Sequence, residues 1–101
     1  MQKNSPSEIE KKIIQILTSD LEIDPRISSA IDSETPLLGR GIGLNSVETL
    51  TLVAGIEEAF NIQIDDEDLT MELFKRLGTL VDYVLEKIAE QKGGSNGIGH
   101  P

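Results

Sequence analysis

The sequence predicts an all-α fold: a small four-helix bundle with a long loop between the first and second helices and a short third helix. Apolar side chains recur at the spacing of one helix face at Ile9, Ile13, Ile16 and Leu17, at Leu52, Val53, Ile56 and Phe60, and at Leu80, Val81, Val84, Leu85 and Ile88. Capping residues precede each of these stretches. The one alternating piece, Ile62-Gln63-Ile64, is too short to found a sheet and has no second strand to pair with, so a packed loop is expected there.

The first helix is expected over residues 6 to 20. Ser5 can cap it, Pro6 suits the first helical position and Glu8 can complete a capping box. Pro25, Pro36 and a run of Ser, Thr and Asp make residues 22 to 44 a connection without regular structure, whose Ile23, Ile27, Ile31, Leu37 and Leu38 should pack on the domain. Gly39, Gly41 and Gly43 are expected to loosen the backbone before the second helix, which starts at Ser46 with Asn45 as cap and Glu48 three residues on. That helix has a second apolar face, Val47, Leu50 and Ala54, opposite the core face, and Asn61 ends it. Asp65-Asp66-Glu67-Asp68 places acidic groups at the start of a brief third helix, where they favour the positive end of its dipole. The last helix is expected over residues 80 to 91 with Thr79 as its cap. A glycine-rich tail over 92–101 has almost nothing to bury and is expected to be disordered, leaving one domain over 1–91.

Composition narrows the function. The chain has 101 residues, nine basic against eighteen acidic, for a net charge of −9. That charge repels a phosphate backbone and an anionic membrane alike. With Phe60, Phe74 and Tyr83 as the only aromatics, stacking surfaces for single-stranded nucleic acid are missing. No Cys is present, which removes disulfides, thiolate metal sites and thiol nucleophiles. No apolar run approaches the roughly 20 residues of a membrane span, and the first residues lack the apolar stretch of a secretion signal, so a cytoplasmic protein is expected.

The residues for self-contained catalysis are not assembled. The single His, His100, falls in the tail, away from any rigid element. Alternating acids from Asp20 to Asp24 resemble a calcium loop, but Pro25 stands where the loop needs Gly and Ile31 where it needs the closing carboxylate. The glycines at 39, 41 and 43 lack both the last Gly of a dinucleotide loop and a following Gly-Lys-Ser/Thr. Ser46 is the exception. Its hydroxyl falls on the first turn of a helix, where free N–H groups and the positive dipole end stabilise an attached anion by about 0.3–1 kcal/mol. A serine that merely adjoins a cap accounts for the same residues.

Gly43-Leu44-Asn45-Ser46-Val47-Glu48, followed by Leu52-Val53 and Ile56-Glu57-Glu58-Ala59-Phe60-Asn61-Ile62-Gln63-Ile64, resembles the acyl carrier protein family, whose signature is G-[LAM]-D-S-[LIV]-[DE] ahead of an acidic helix. Asp66-Glu67-Asp68-Leu69, Phe74 and Leu77-Gly78-Thr79-Leu80-Val81-Asp82-Tyr83-Val84 are similar to that family's third and fourth helices, so the likeness spans residues 8 to 90. It implies a four-helix bundle of acyl-carrier type in which Ser46 carries 4′-phosphopantetheine, added from coenzyme A by a separate phosphopantetheinyl transferase. The arm's terminal thiol would hold acyl groups as thioesters for enzymes of fatty-acid, polyketide or related biosynthesis, and the chain itself would catalyse nothing. It further implies an acyl pocket between the second and fourth helices, lined by Leu52, Val53, Ile56, Ala59, Phe60 and Val81.

Residues 41 to 74 hold eight acidic side chains and no basic one. Val47, Leu50 and Ala54, rimmed by Glu48, Glu57 and Glu58 and beside Asn45, form an apolar patch with a charged edge, the usual anatomy of a docking site. Acyl-loading and acyl-processing partners with basic grooves are therefore expected to meet a monomeric carrier there. Asn45 stands where the family has Asp, and Thr51 where many members have Glu. The loss of negative charge beside the attachment point indicates a dedicated transferase and a specialised, discrete carrier. Two other expectations stay open: an aminoacyl or peptidyl carrier of the same fold, and an unmodified acidic helical adaptor that binds partners through its second helix.

Overall fold

A computed structural model describes residues 5–97 of the chain. Its helices are α1 (Pro6–Ser19), α2 (Pro25–Ser28), α3 (Ser46–Phe60) and α4 (Leu77–Gly97), with a single 3-10 turn at Asp66–Asp68 where the short third helix was expected. The described residues contain no strand. The fold is thus the all-α bundle of acyl-carrier type that the sequence predicts. α1 is its central element and packs against α2, α3 and α4.

Ser5 caps α1 by accepting the Glu8 N–H at 3.3 Å, and α1 buries Ile9, Ile13, Ile16 and Leu17. The connection that follows is less irregular than expected, because it contains α2. Asp24 accepts the Arg26 N–H at 2.8 Å and Pro25 takes the first helical position, a start signal without the apolar repeat needed to continue past one turn. The Arg26 guanidinium returns to the same carboxylate at 3.1 Å. That side-chain bond and the backbone bond together hold Asp24 below its usual pKa. Ile31 and Leu37 are buried as expected, whereas Ile27 on α2 is 53% exposed.

The glycine-bearing end of the connection is tight, not loosened. Ile42 N–H donates to the Pro36 carbonyl and Leu44 N–H to the Leu37 carbonyl, both at 3.0 Å. Gly43 turns the chain with φ +73°, and Gly41 lies so close to Pro36 that a Cβ would meet its carbonyl oxygen. Only the absence of a side chain lets the two backbones approach this closely.

α4 begins at Leu77, before Thr79, which therefore lies inside the first turn and is not its cap. The reason is long-range. Leu77 N–H donates to the Thr35 carbonyl at 2.9 Å and Gly78 N–H to the Ser33 carbonyl at 2.8 Å, so the connection itself satisfies the orphan donors at the helix start. The helix continues to Gly97, past the expected end at 91, although Gly93, Gly94 and Gly97 are poor helix formers. The remainder of the expected disordered tail, residues 98–101, lies outside the described residues.

One aliphatic core joins these elements, with Leu17, Leu37, Leu52, Ile56, Leu80 and Val84 wholly buried. Phe60 is half-buried, because as the last residue of α3 it sits where the helix leaves the core. Asn61 then ends the helix in the left-handed region at φ 54°. Ile62 and Ile64 are buried around exposed Gln63, as expected of a packed loop. The 3-10 turn is fastened to α4 by the Tyr83 hydroxyl, which donates to Asp68 Oδ2 at 2.6 Å, and by Lys87, whose Nζ reaches Asp65 at 3.4 Å and lies 5.7 Å from the Tyr83 ring centre.

Two outcomes follow from this packing. Gly41→Ala should lower stability by about 1–3 kcal/mol in urea melts, because backbone must move to admit the methyl group. Partial burial, then the Asp68 carboxylate, raise the Tyr83 pKa above its ordinary value of 10.0. The phenol is therefore protonated more readily folded than unfolded, and its contribution is complete below about pH 10 and declines as pH rises past it. Tyr83→Phe should cost about 1 kcal/mol at neutral pH, and the gap between parent and variant should narrow above pH 10 in parallel melts.

Candidate functional site

Ser46 owes its position to the residues on either side of it. Leu44 is buried and anchors the approach, and Asn45, in extended conformation, caps α3. Asn45 Oδ1 accepts the Glu48 N–H at 2.8 Å while Glu48 Oε1 accepts the Asn45 N–H at 2.9 Å, which completes a capping box. Thr49 adds a bond from its hydroxyl to the Asn45 carbonyl at 2.8 Å. The Ser46 side chain is left exposed on the first turn. The backbone N–H groups of Ser46 and Val47 have no acceptor among the described residues.

Beside Ser46 opens a cleft of about 580 Å³ between the start of α3 and the segment from Leu69 to Phe74. Its walls are mainly Leu38, Leu44, Leu50, Leu69, Met71 and Phe74, and its polar lining is Asn45, Ser46, Thr49 and Thr70. None of these side chains is charged, in a chain of net charge −9. The Leu37 N–H donates to the Phe74 carbonyl at 3.3 Å, which ties the far wall to the connection.

The side chains expected on the docking face divide into two groups. Val47 is 72% and Leu50 58% exposed, and Ala54 and Glu58 are exposed near them. Met71, 78% exposed, extends that patch from across the cleft. Glu48 and Glu57 are half-buried and engaged internally, Glu48 in the capping box and Glu57 as acceptor of the Ile64 N–H at 2.8 Å. Of the residues expected to line an acyl pocket, Leu52, Val53, Ile56 and Val81 are packed in the core and Phe60 is half-buried. Ala59 is exposed and borders a different groove, of about 240 Å³, with Lys12, Gln15 and Gly55. Neither the cleft beside Ser46 nor this groove is lined by these six together. Met71 and Leu38 were missed because their approach to Ser46 depends on long-range folding, whereas Phe74 was visible only through its family likeness.

A covalent phosphopantetheine arm fits these residues. Its phosphodiester would find two free N–H groups at the positive end of α3 and no carboxylate lining the cleft. Its pantetheine chain would find an apolar wall. Among the described residues no cluster of His, Cys, Asp or Glu is placed to hold a metal ion, and no helix is long and apolar enough to cross a membrane.

Comparison with known proteins agrees with this geometry. Residues 11–84 match the family model described as a phosphopantetheine attachment site. An acyl carrier protein of Guillardia theta is 33% identical over 82 residues, covering 81% of this chain and 94% of the relative. One from Porphyromonas gingivalis is 31% identical over 78 residues, covering 77% and 92%. The mitochondrial acyl carrier protein of Saccharomyces cerevisiae is 26% identical over 80 residues, covering 79% of this chain and 62% of that longer protein. With most of its length matched in this way, the chain belongs to the acyl carrier protein family, whose prosthetic group is 4′-phosphopantetheine.

Proposed function

We propose that Ser46 bears the 4′-phosphopantetheine arm and that the chain holds acyl intermediates for the enzymes of fatty-acid, polyketide or related biosynthesis. The observation that carries this reading is the exposed Ser46 hydroxyl on the first turn of α3, flanked by unpartnered N–H groups and an uncharged apolar cleft. When bound, the arm supplies the thiol that the Cys-free chain lacks, and acyl groups ride on it as thioesters. The residues of the chain bind and present: α3 orients the attachment oxygen, the capping box fixes that orientation, and the cleft shelters the proximal arm. Catalysis belongs to the phosphopantetheinyl transferase and to the acyl-loading and acyl-processing partners.

Val47, Leu50, Ala54 and Met71 form the apolar centre of the docking face, with Glu58 on its rim. Glu48 and Glu57 contribute charge from fixed, internally bonded positions. Deep sequestration of cargo among Leu52, Ile56 and Val81 would require those packed side chains to part. The cleft beside Ser46 is open without such movement.

Incubation with coenzyme A and a broad-specificity transferase should add one phosphopantetheine mass to the parent chain and none to Ser46→Ala. A bare parent, or an equal gain in the variant, removes Ser46 from the role. Association with a basic-grooved acyl-processing enzyme should slow as salt shortens the Debye length from about 10 Å at 0.1 M to about 3 Å at 1 M. It should also slow in Glu58→Gln. Rates indifferent to both changes would eliminate electrostatic steering through this face.

A further inference from the structure

We propose that Tyr83 is a positioning residue for the arm: its hydroxyl, bonded to Asp68, holds in place the Leu69–Met71 side of the cleft beside Ser46 and so governs how that side meets the pantetheine chain. The proposal rests on Ser46 as the attachment residue and concerns the wall that faces it.

That wall is one chain thick where it nears the 3-10 turn. Thr70 lines the Ser46 cleft on one side and, on the other, a hollow of about 370 Å³ that also borders Asp68, Leu73, Thr79 and Tyr83. The two halves of the wall are secured differently. Leu73 and Phe74 are buried, and the Phe74 carbonyl accepts the Leu37 N–H at 3.3 Å. Leu69 is only half-buried, and Thr70 and Met71 are exposed, so little apolar packing fixes that end. Its place follows from the turn before it. Thr70 N–H donates to the Asp68 carbonyl at 2.9 Å and Leu69 N–H to the Asp66 carbonyl at 3.0 Å, so a restraint on Asp68 passes to the wall.

Asp68 is restrained from across the second hollow. The Tyr83 hydroxyl donates to Asp68 Oδ2 at 2.6 Å, the short length of a bond to a carboxylate. This bond works against charge. Glu67, Asp68 and Glu72 on the wall's side of the hollow and Asp82 and Glu86 on α4 all carry the same sign, and like charges repel. Lys87 supplies a looser strap, because its ammonium is divided between Asp65 at 3.4 Å and Glu90 at 3.8 Å. Tyr83 itself sits on α4 next to the wholly buried Val84, on a frame that the core holds still. The hydroxyl thus ties the thin end of the wall to the rigid part of the bundle. It acts on the arm only through Asp68 and the residues that follow.

The test uses the full chain carrying the arm, with intact mass recording modification and NMR reading the wall. In the modified parent, nuclear Overhauser effects are expected from the pantetheine methyl groups to the side chains of Leu69 and Met71, with amide order parameters over 69–71 near those of α4. Tyr83→Phe should lower those order parameters and lose those effects, while effects to Leu50 on α3 persist. Asp68→Ala should match it, and the double variant should lose no more than either single one, because all three remove the same bond. Ile9→Val, a core truncation on α1, shows what reduced stability does by itself and should leave the wall as in the parent. A modified parent without arm-to-wall effects, a parent-like wall in Tyr83→Phe, additive losses in the double variant, or equal loosening by Ile9→Val overturns the proposal and leaves Ser46 as the attachment residue. Absence of any mass gain in the parent overturns the attachment reading itself, and this proposal with it.

Discussion

Both sides of the Ser46 cleft hang on Leu37. Its side chain is wholly buried, its carbonyl accepts the Leu44 N–H at 3.0 Å and its N–H donates to the Phe74 carbonyl at 3.3 Å. One peptide segment therefore sets the distance between the residue that leads into α3 and the wall that faces it. A connection that runs over an apolar core must find partners for its backbone polar groups. This one finds them at the two places that frame the site, and it adds the first N–H groups of α4 through Ser33 and Thr35. The rest of the architecture can be regular because this stretch is not.

Much of the fold is legible from local rules. The start of α3 follows from Asn45 and Glu48 alone, and the buried faces of α1 and α3 follow from spacing. What escapes local reading depends on residues far away in the chain. Thr79 looks like a cap, but backbone carbonyls more than forty positions earlier in sequence displace the start of α4 to Leu77. The α2 signal at Asp24-Pro25 was present, yet one turn has no apolar repeat to advertise it. At the site, Ser46 and the Val47 and Leu50 patch could be read directly, whereas the Met71 side of the cleft is created only when the connection closes. Glu57 has a second task that its charge does not advertise: its carboxylate accepts the Ile64 N–H.

The distribution of charge, more than its total, distinguishes the site. A chain of net charge −9 has a cleft with no ionised side chain in its lining. An uncharged pocket inside an acidic field admits a covalently held anion while the surroundings favour cationic visitors. In the proposed role the two share Leu50 and Met71, which line the cleft and stand on the exposed apolar patch as well.

The acidic run from Asp65 to Asp68 carries a consequence for how that field is counted. In a 3-10 turn positions three apart eclipse one another, so Asp65 and Asp68 share a side, and both meet α4, one at Lys87 and the other at Tyr83. Asp66 and Glu67 have no such partner among the described residues. Yet only the Asp65–Lys87 pair cancels a charge, because Asp68 accepts from a neutral phenol and keeps its own, so this stretch is moored to α4 while three of its four carboxylates still pull on a distant cation.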